Sequence, residues 1–135
     1  VFIDFQGMRP GNLFYDLGSL ICDPYVTFVP EERNELIAFY YRIMEPDYTL
    51  ERFTDYFWEG SAQRLMQALG AYGFLGLKKN KTHFLKHAAS GIKNLVVATA
   101  RAGTLPALNE LARECMRRLA DRQDSATAVA LPETQ

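Results

Sequence analysis

The chain opens with Val1-Phe2-Ile3-Asp4-Phe5-Gln6, continues with Gly7-Met8-Arg9-Pro10-Gly11, and soon reaches Tyr15-Asp16-Leu17. Apolar side chains occupy both faces of the first stretch up to Asp4, which is typical of a short strand buried on both sides. The glycines and the proline predict a tight turn, and the third stretch predicts a helix. Because a strand needs a partner and no second strand is predicted downstream, we expect the chain to begin inside a larger enzyme.

The rest of the sequence predicts about five to six helices. Apolar residues recur at helical spacing, and prolines, glycines and capping residues separate the segments. The clearest helix signals are Pro30, Thr49, Gly103 and Pro106. The predicted fold class is therefore mainly α, with one short N-terminal strand. We expect a helical body over residues 1–123 and a flexible tail over 124–135.

The composition is typical of a globular domain, and the net charge gives no indication of a strongly charged partner. Of the 135 residues, 48% are hydrophobic and 23% are charged, which suits one domain with a single core. The formal net charge is -1, so the whole-chain charge favours neither nucleic acid nor membrane as a partner. Cys22 and Cys115 stand far apart in apolar helical patterns, which favours buried thiols in a reducing compartment. A cytoplasmic location is the resulting expectation.

Asp4 is the first candidate for chemistry. A carboxylate fixed at the end of a buried strand and followed by a glycine turn suits Mg²⁺ beside nucleotide phosphates. The same carboxylate can instead accept backbone N–H bonds in the turn, and on its own context this structural role is favoured.

The wider pattern adds a family resemblance. It consists of Ile3-Asp4-Phe5-Gln6, Arg9, Gly11, Tyr15-Asp16-Leu17-Gly18-Ser19-Leu20 and Asp23-Pro24-Tyr25. Together these residues closely resemble the C-terminal half of the aminoglycoside phosphotransferase/choline kinase family, which has a protein-kinase-like fold. Within that family the chain is most similar to bacterial sugar kinases acting on N-acetylmuramate or N-acetylglucosamine. The resemblance extends over roughly residues 1–100, and residues 63–73 also resemble the long helix of that subgroup.

The resemblance implies a role for each matching residue. Asp4 matches the metal-binding acid of the kinase Asp-Phe-Gly motif, written here as Asp-Phe-Gln. Asp16 matches an acid on a helix that steadies the catalytic loop by accepting backbone hydrogen bonds. Gln6 and Arg9 follow the metal acid and become candidates for contact with phosphate or substrate. For Arg9, a structural salt bridge is an equally good reading.

The sequence also departs from the family pattern. It contains no His-x-Asp catalytic motif, no glycine-rich phosphate loop and no strand lysine for ATP. We therefore assign no catalytic residue to this chain and expect it to be inactive alone. ATP and Mg²⁺ are expected in the intact enzyme, together with an N-terminal nucleotide-binding lobe, and neither cofactor is expected on this part by itself.

Three residues of one predicted helix are weaker candidates for substrate contact. Tyr56, Trp58 and Arg64 are the members least explained by the apolar stripe, whereas the other nearby aromatic residues are expected in the core. His83 and His87 are four residues apart, as a metal pair on an α-helix would be, but surface or capping roles are favoured for them.

The functional expectation is a part of an ATP- and Mg²⁺-dependent phosphotransferase acting on a hydroxyl of an amino sugar or related compound. The sequence does not choose among aminoglycosides, choline, homoserine and amino sugars. The alternative is a non-catalytic helical module that binds a protein partner on the same scaffold. A third expectation is self-association through apolar surface that the missing lobe would otherwise cover.

Overall fold

The computed structural model describes residues 12–23, 25 and 28–129, with side chains as far as Arg122. The predicted strand and turn over residues 1–11 lie outside this part of the chain. The described residues form five α-helices: α1 (Phe14–Ile21), α2 (Pro30–Met44), α3 (Leu50–Gly73), α4 (Ala88–Ala102) and α5 (Pro106–Val129). A π-helical turn (Phe74–Lys78) and a 3-10 helix (Thr82–His87) connect α3 to α4. The prediction of a mainly α fold is confirmed, and the described residues contain no strand.

Local chemistry sets the helix ends. The side-chain oxygen of Asn12 accepts a hydrogen bond from the Phe14 N–H at 2.8 Å and so starts α1. The Glu32 carboxylate accepts from the Val29 N–H at 3.0 Å at the start of α2. The Thr49 hydroxyl accepts from the Arg52 N–H at 3.3 Å, as predicted for a cap of α3. Gly103, with φ of +68°, ends α4 in the left-handed conformation that glycine adopts without strain.

The last helix extends beyond its predicted end. A flexible tail was expected from residue 124, but α5 continues to Val129. The added segment contains Ala126 and Ala128 and no glycine or proline, so nothing in it interrupts a helix already under way. Residues 130–135 lie outside the described range.

The long helix α3 is the centre of the fold. Both α1 and α4 pack against it, and α5 packs against the outer side of α4. The side chains of Phe53, Phe57, Trp58, Ala62 and Leu65 on α3 are almost fully buried. By contrast, α2 contacts the body mainly through α3 and buries only Ile37 completely. None of the described helices combines the length and apolarity needed to cross a bilayer.

The contact between α1 and α3 is made by glycine on both sides. A Cβ atom at Gly18 would lie 2.9 Å from the Ser61 Cα and 2.7 Å from its hydroxyl oxygen. A Cβ atom at Gly60 would lie 2.9 Å from the Phe14 Cβ. Distances below about 3 Å leave no room for a side chain, so the two helices meet backbone against backbone.

An aromatic cluster surrounds Phe53 beside this contact. The Phe14 ring meets Phe53 edge-on with the ring centroids 4.7 Å apart, and Tyr41 does the same at 5.3 Å. The Tyr41 hydroxyl donates to the Tyr48 carbonyl at 2.9 Å, which satisfies its polar end. Since Phe53 is fully buried, this cluster belongs to the core, as helical spacing predicts.

A short polar network joins α4 to α5. The Thr99 hydroxyl donates to the Leu95 carbonyl at 2.7 Å and accepts from the Asn109 side-chain amide at 2.8 Å. The same amide group donates to the Val96 carbonyl at 3.0 Å. Because Thr99 is only 2% exposed, these bonds satisfy polar groups in the interior and fix the register of the two helices.

Replacing Gly18 by alanine is expected to destabilise the protein because the new methyl group would collide with the Ser61 backbone. The overpacking outweighs the gain in helix propensity, so the free energy of unfolding should fall by roughly 1–2 kcal/mol. Urea unfolding followed by circular dichroism measures this change.

Gly70→Ala is the matched control. Gly70 lies on α3, and no atom outside the helix backbone is within 4 Å of a Cβ added there. It should raise stability by about 0.5–1 kcal/mol through helix propensity alone. If both variants were equally stabilised, the close contact of α1 and α3 would be refuted.

Candidate functional site

The residues implied by the resemblance divide into two groups. Asp4, Gln6 and Arg9 lie outside the described residues, so their predicted roles stay predictions. Asp16 lies in the first turn of α1, where its charge is favourable for the positive end of the helix dipole. Its side chain is exposed, and no hydrogen bond joins it to another described residue. The carboxylate therefore points away from the α1–α3 contact.

The two aromatic candidates belong to the body of the fold. Trp58 is 4% exposed and meets Phe57 edge-on with the centroids 4.9 Å apart, and the Arg33 guanidinium lies 5.9 Å from its ring centroid. Tyr56 is half-buried, and its hydroxyl accepts a hydrogen bond from Arg52 Nε at 2.9 Å. Little of the Trp58 ring is left for a ligand, whereas the polar end of Tyr56 lies at the surface.

Arg64 is the candidate that the structure connects to α1. Its Nε donates to the Ser19 hydroxyl at 2.9 Å, and its guanidinium carbon lies 5.7 Å from the Tyr15 ring centroid. The Tyr15 hydroxyl in turn donates to the side-chain oxygen of Gln67. Arg64 thus uses one nitrogen to hold α1 and stacks its planar group on an aromatic ring.

A small crevice adjoins Arg64 at the C-terminal end of α1. It is lined by Gly18, Ser19, Cys22, Asp23, Arg64, Leu65 and Ala68. Its free volume is about 10 Å³, which is room for a single water molecule. Asp23 accepts a hydrogen bond from the Tyr25 N–H at 2.8 Å and so acts as a local turn cap. Asp23 and Arg64 therefore share a rim without forming an ion pair.

Two tyrosines and a histidine extend this rim. The ring centroids of Tyr25 and His87 are 4.1 Å apart, and Tyr72 lies 6.4 Å from Tyr25 and 6.0 Å from His87. Burial raises the pKa of Tyr72 to about 12, and the neighbouring Tyr25 and Asp23 add to the rise. The Tyr72 hydroxyl is therefore a neutral donor at physiological pH. We define the α1 rim as Asp23, Tyr25, Arg64, Tyr72 and His87.

Cys22 lies beneath the rim as a protonated thiol. It is 2% exposed, and its carbonyl accepts a hydrogen bond from the Asn94 side chain at 3.1 Å. Burial raises the pKa of the Cys22 thiol, against smaller opposing effects of Ser61 and Arg33. A buried thiol with a raised pKa is a packing residue and a poor nucleophile.

The candidates on α3 do not converge on one point. Tyr56 and Arg64 are eight residues apart, which separates them by about 12 Å along the helix axis. Thr82–His87 is a 3-10 helix with about three residues per turn, so the α-helical spacing of a metal pair does not apply to the two histidines. His83 packs on Phe84 at 4.3 Å, and His87 packs on Tyr25. The described residues hold no group of three His, Cys, Asp or Glu side chains arranged for a metal ion.

The sequence reasoning singled out Arg64 and missed its companions. Ser19, Tyr72 and His87 carry ordinary helix or surface signals, and only the packing of α1 on α3 brings them together. Arg64 was detectable because a charged residue interrupts the predicted apolar stripe.

Comparisons with known proteins do not assign the chain to a family. No family model matches the chain, no curated protein matches it, and no solved structure matches it.

The raised pKa of Tyr72 predicts a loss of stability at alkaline pH. The unfolded tyrosine loses its proton near pH 10, whereas the folded one holds it to about 12. Below pH 10 both states are neutral, and between pH 10 and 12 deprotonation favours the unfolded state. From pH 9 to 11.5, the free energy of unfolding of the wild type should fall by roughly 2 kcal/mol more than that of Tyr72→Phe. Urea titrations at each pH measure the difference, and parallel pH profiles would contradict it.

Cys22 is expected to resist thiol reagents in the folded protein. Single-thiol variants, Cys115→Ser and Cys22→Ser, isolate each group, and Cys115 is the half-buried comparison. Native Cys22 should react with a disulfide reagent at least about tenfold more slowly than native Cys115. In denaturant the two rates should converge. Equal native rates would show that the Cys22 thiol is accessible.

Proposed function

We propose that this chain is the helical, substrate-binding C-terminal part of a small-molecule kinase of the aminoglycoside phosphotransferase/choline kinase type. ATP would donate its γ-phosphoryl group to a hydroxyl of an amino sugar or a related compound. The nucleotide lobe and the His-x-Asp loop would be supplied by sequence preceding this chain. The observation that carries the proposal is Asp4-Phe5-Gln6 followed at fixed spacing by Tyr15-Asp16-Leu17-Gly18-Ser19-Leu20.

The placement of α1 supports this proposal. Because Gly18 and Gly60 have no side chains, α1 packs directly against α3, and this close contact holds α1 in position. From this fixed helix, the exposed Asp16 carboxylate is directed outward. In the proposed enzyme it accepts backbone N–H bonds from the catalytic loop, and its effect on transfer is through the position of that loop.

Asp4 has the chemical role in the proposal. If Mg²⁺ and ATP bind, the cation neutralises charge that develops on the transferred phosphoryl group. A carboxylate is the ligand that Mg²⁺ prefers, and Asp4 is the residue of this chain that would hold it. Gln6 and Arg9 follow Asp4 closely in the sequence and are the proposed contacts to phosphate or acceptor.

The α1 rim is the proposed boundary of the acceptor site. Tyr25 is 55% exposed, so an aromatic face is available for a pyranose ring. The Asp23 carboxylate and the Arg64 guanidinium, on either side of a one-water crevice, suit hydroxyl and amide groups. Tyr56 and Trp58 belong to a different part of α3 and are not needed for this boundary.

A second candidate function is a non-catalytic interaction module, and the surface of α2 favours it. Phe39 is 53% exposed and Ile43 is 61% exposed on a helix that is held lightly. An open groove runs beside them, lined by Phe28, Glu32, Glu35, Leu36, Ala38, Phe39 and Arg42. Sequence upstream without His-x-Asp and without a lysine-bearing strand would favour this candidate over the kinase.

Asp4→Ala tests the kinase proposal in the full-length enzyme. Loss of the metal ligand should lower kcat by at least about a thousandfold, because the cation contributes several kcal/mol to the transition state. The measurement is ADP release with Mg²⁺, ATP and a panel of acceptors containing N-acetylmuramate, N-acetylglucosamine, an aminoglycoside, choline and homoserine. Unchanged circular dichroism and thermal unfolding establish that the variant is folded.

Asp47→Ala serves as the control, since Asp47 is an exposed acid between α2 and α3. Its turnover should equal that of the wild type. Turnover retained in Asp4→Ala would exclude the metal role of Asp4, and no turnover of any acceptor by the wild type would favour the interaction module.

A further inference from the structure

The net charge of -1 conceals a strong separation of charge along the chain. Residues 12–59 contain ten acidic and three basic residues. Residues 60–109 contain seven basic residues and no aspartate or glutamate. All five lysines of the chain lie between residues 78 and 93. The earlier expectation of no membrane partner depended on whole-chain charge, and the local charge is very different.

The lysines accompany the most exposed large apolar side chain among the described residues. Leu77 is 71% exposed and Phe74 is 54% exposed on the π-helical turn that ends α3. Their neighbour Gly76 is buried, and a side chain there would collide with Leu85. The turn is thus anchored at Gly76 and projects Phe74 and Leu77 into solvent. We call Phe74, Leu77, Lys78, Lys79 and Lys81 the basic-apolar tip.

Backbone bonds hold the tip in one shape. The Lys79 N–H donates to the Phe74 carbonyl at 3.2 Å, and the Lys81 N–H donates to the Leu75 carbonyl at 2.9 Å. Asn80 adopts a φ of +55°, which turns the chain back toward the 3-10 helix. The lysines therefore lie on the same hydrogen-bonded turn as the apolar side chains.

The charges of the tip are not neutralised by the fold. Lys78, Lys79 and Lys81 are exposed, and the ion pairs formed among described residues join Glu114 to Arg117 and Arg118 on α5. Lys79 instead lies 5.7 Å from the centroid of the Phe74 ring. A solvated face would explain the lysines alone, but exposure of the adjoining leucine and phenylalanine side chains to water is unfavourable in free energy.

We propose that the basic-apolar tip binds the surface of a membrane that contains anionic phospholipids. The lysines attract the negative headgroups, and Leu77 and Phe74 enter the boundary between headgroups and acyl chains. Basic and apolar groups act together here, since neither three lysines nor two apolar side chains give stable attachment alone. The protein would attach reversibly, with the tip at the surface and the helical body outside the bilayer.

The tip suits a lipid surface better than nucleic acid. Single-stranded nucleic acid is bound through aromatic stacking in a basic groove, and duplexes favour arginine contacts as well as lysine. The tip contains no arginine, and its most exposed apolar group is the aliphatic Leu77, which has no face for a base. Aliphatic insertion beside lysine is the combination that a lipid interface accommodates.

Vesicle sedimentation of the full chain tests the proposal. The protein should sediment with phosphatidylcholine vesicles that contain phosphatidylglycerol, should not do so with phosphatidylcholine alone, and should be released by high salt. The triple variant Lys78→Ser, Lys79→Ser, Lys81→Ser should lower the partition coefficient at least about tenfold. Leu77→Ser should lower it by roughly the same factor with no change of charge.

Matched controls lie on α5. Arg113→Gln, Arg117→Gln, Arg118→Gln removes the same three charges, and Leu111→Ser removes another exposed leucine, 59% exposed. Both should bind vesicles like the wild type. Binding to neutral and anionic vesicles alike, or equal losses in the α5 variants, would overturn the proposal. Tighter, lysine-dependent binding to a single-stranded oligonucleotide, or self-association in light scattering that Leu77→Ser abolishes, would also overturn it.

Discussion

The backbone contact between α1 and α3 is the constraint on which the rest of the structure depends. Gly18 lies against Ser61, and Gly60 lies against Phe14, so the two helices approach more closely than helices with side chains at the crossing can. This approach brings Ser19 within reach of Arg64. It also buries Cys22 and turns Asp16 away from the body. The kinase-site and substrate candidates that the structure describes lie on α1 or on α3: Asp16, Tyr56, Trp58 and Arg64.

The crossing also stabilises the helical conformation of α1. An eight-residue helix is too short to be stable alone, so its conformation is supplied by the body. The aromatic cluster at Phe53 and the Arg64–Ser19 bond hold its two ends.

The sequence predicted the helical framework because its signals are local. Pro30, Thr49 and Gly103 act on the turn in which they stand, and each lies where the structure begins or ends a helix. The α1–α3 crossing was not predictable, because Gly18 and Gly60 look like ordinary helix glycines and only tertiary packing pairs them. The end of α5 is not marked by a local signal, because the small and polar residues from Asp124 onward are compatible with a helix as well as with a tail, and α5 continues to Val129.

The candidate site was predictable only where a residue broke a pattern. Arg64 did so and proved to contact α1, whereas Trp58 stood out equally and proved to be core. For His83 and His87 the sequence favoured surface or capping roles over a metal pair, and the 3-10 helix that carries them does not give the α-helical alignment such a pair would need. The chemistry proposed for Asp4 depends on resemblance, since a single acid after a strand has many structural uses.

The limited burial of α2 has a consequence for partial unfolding of the protein. A helix of fifteen residues that fully buries one side chain, Ile37, contributes little to the cooperative core and can detach before the rest unfolds. Its amide protons would exchange with solvent through this partial opening, ahead of those in α3 and α4. Each opening exposes Tyr41 and the adjoining side of Phe53. The fold is thus a body of four helices, α1, α3, α4 and α5, to which α2 is attached with little burial, and detachment of α2 is the change of shape with the smallest expected energetic cost.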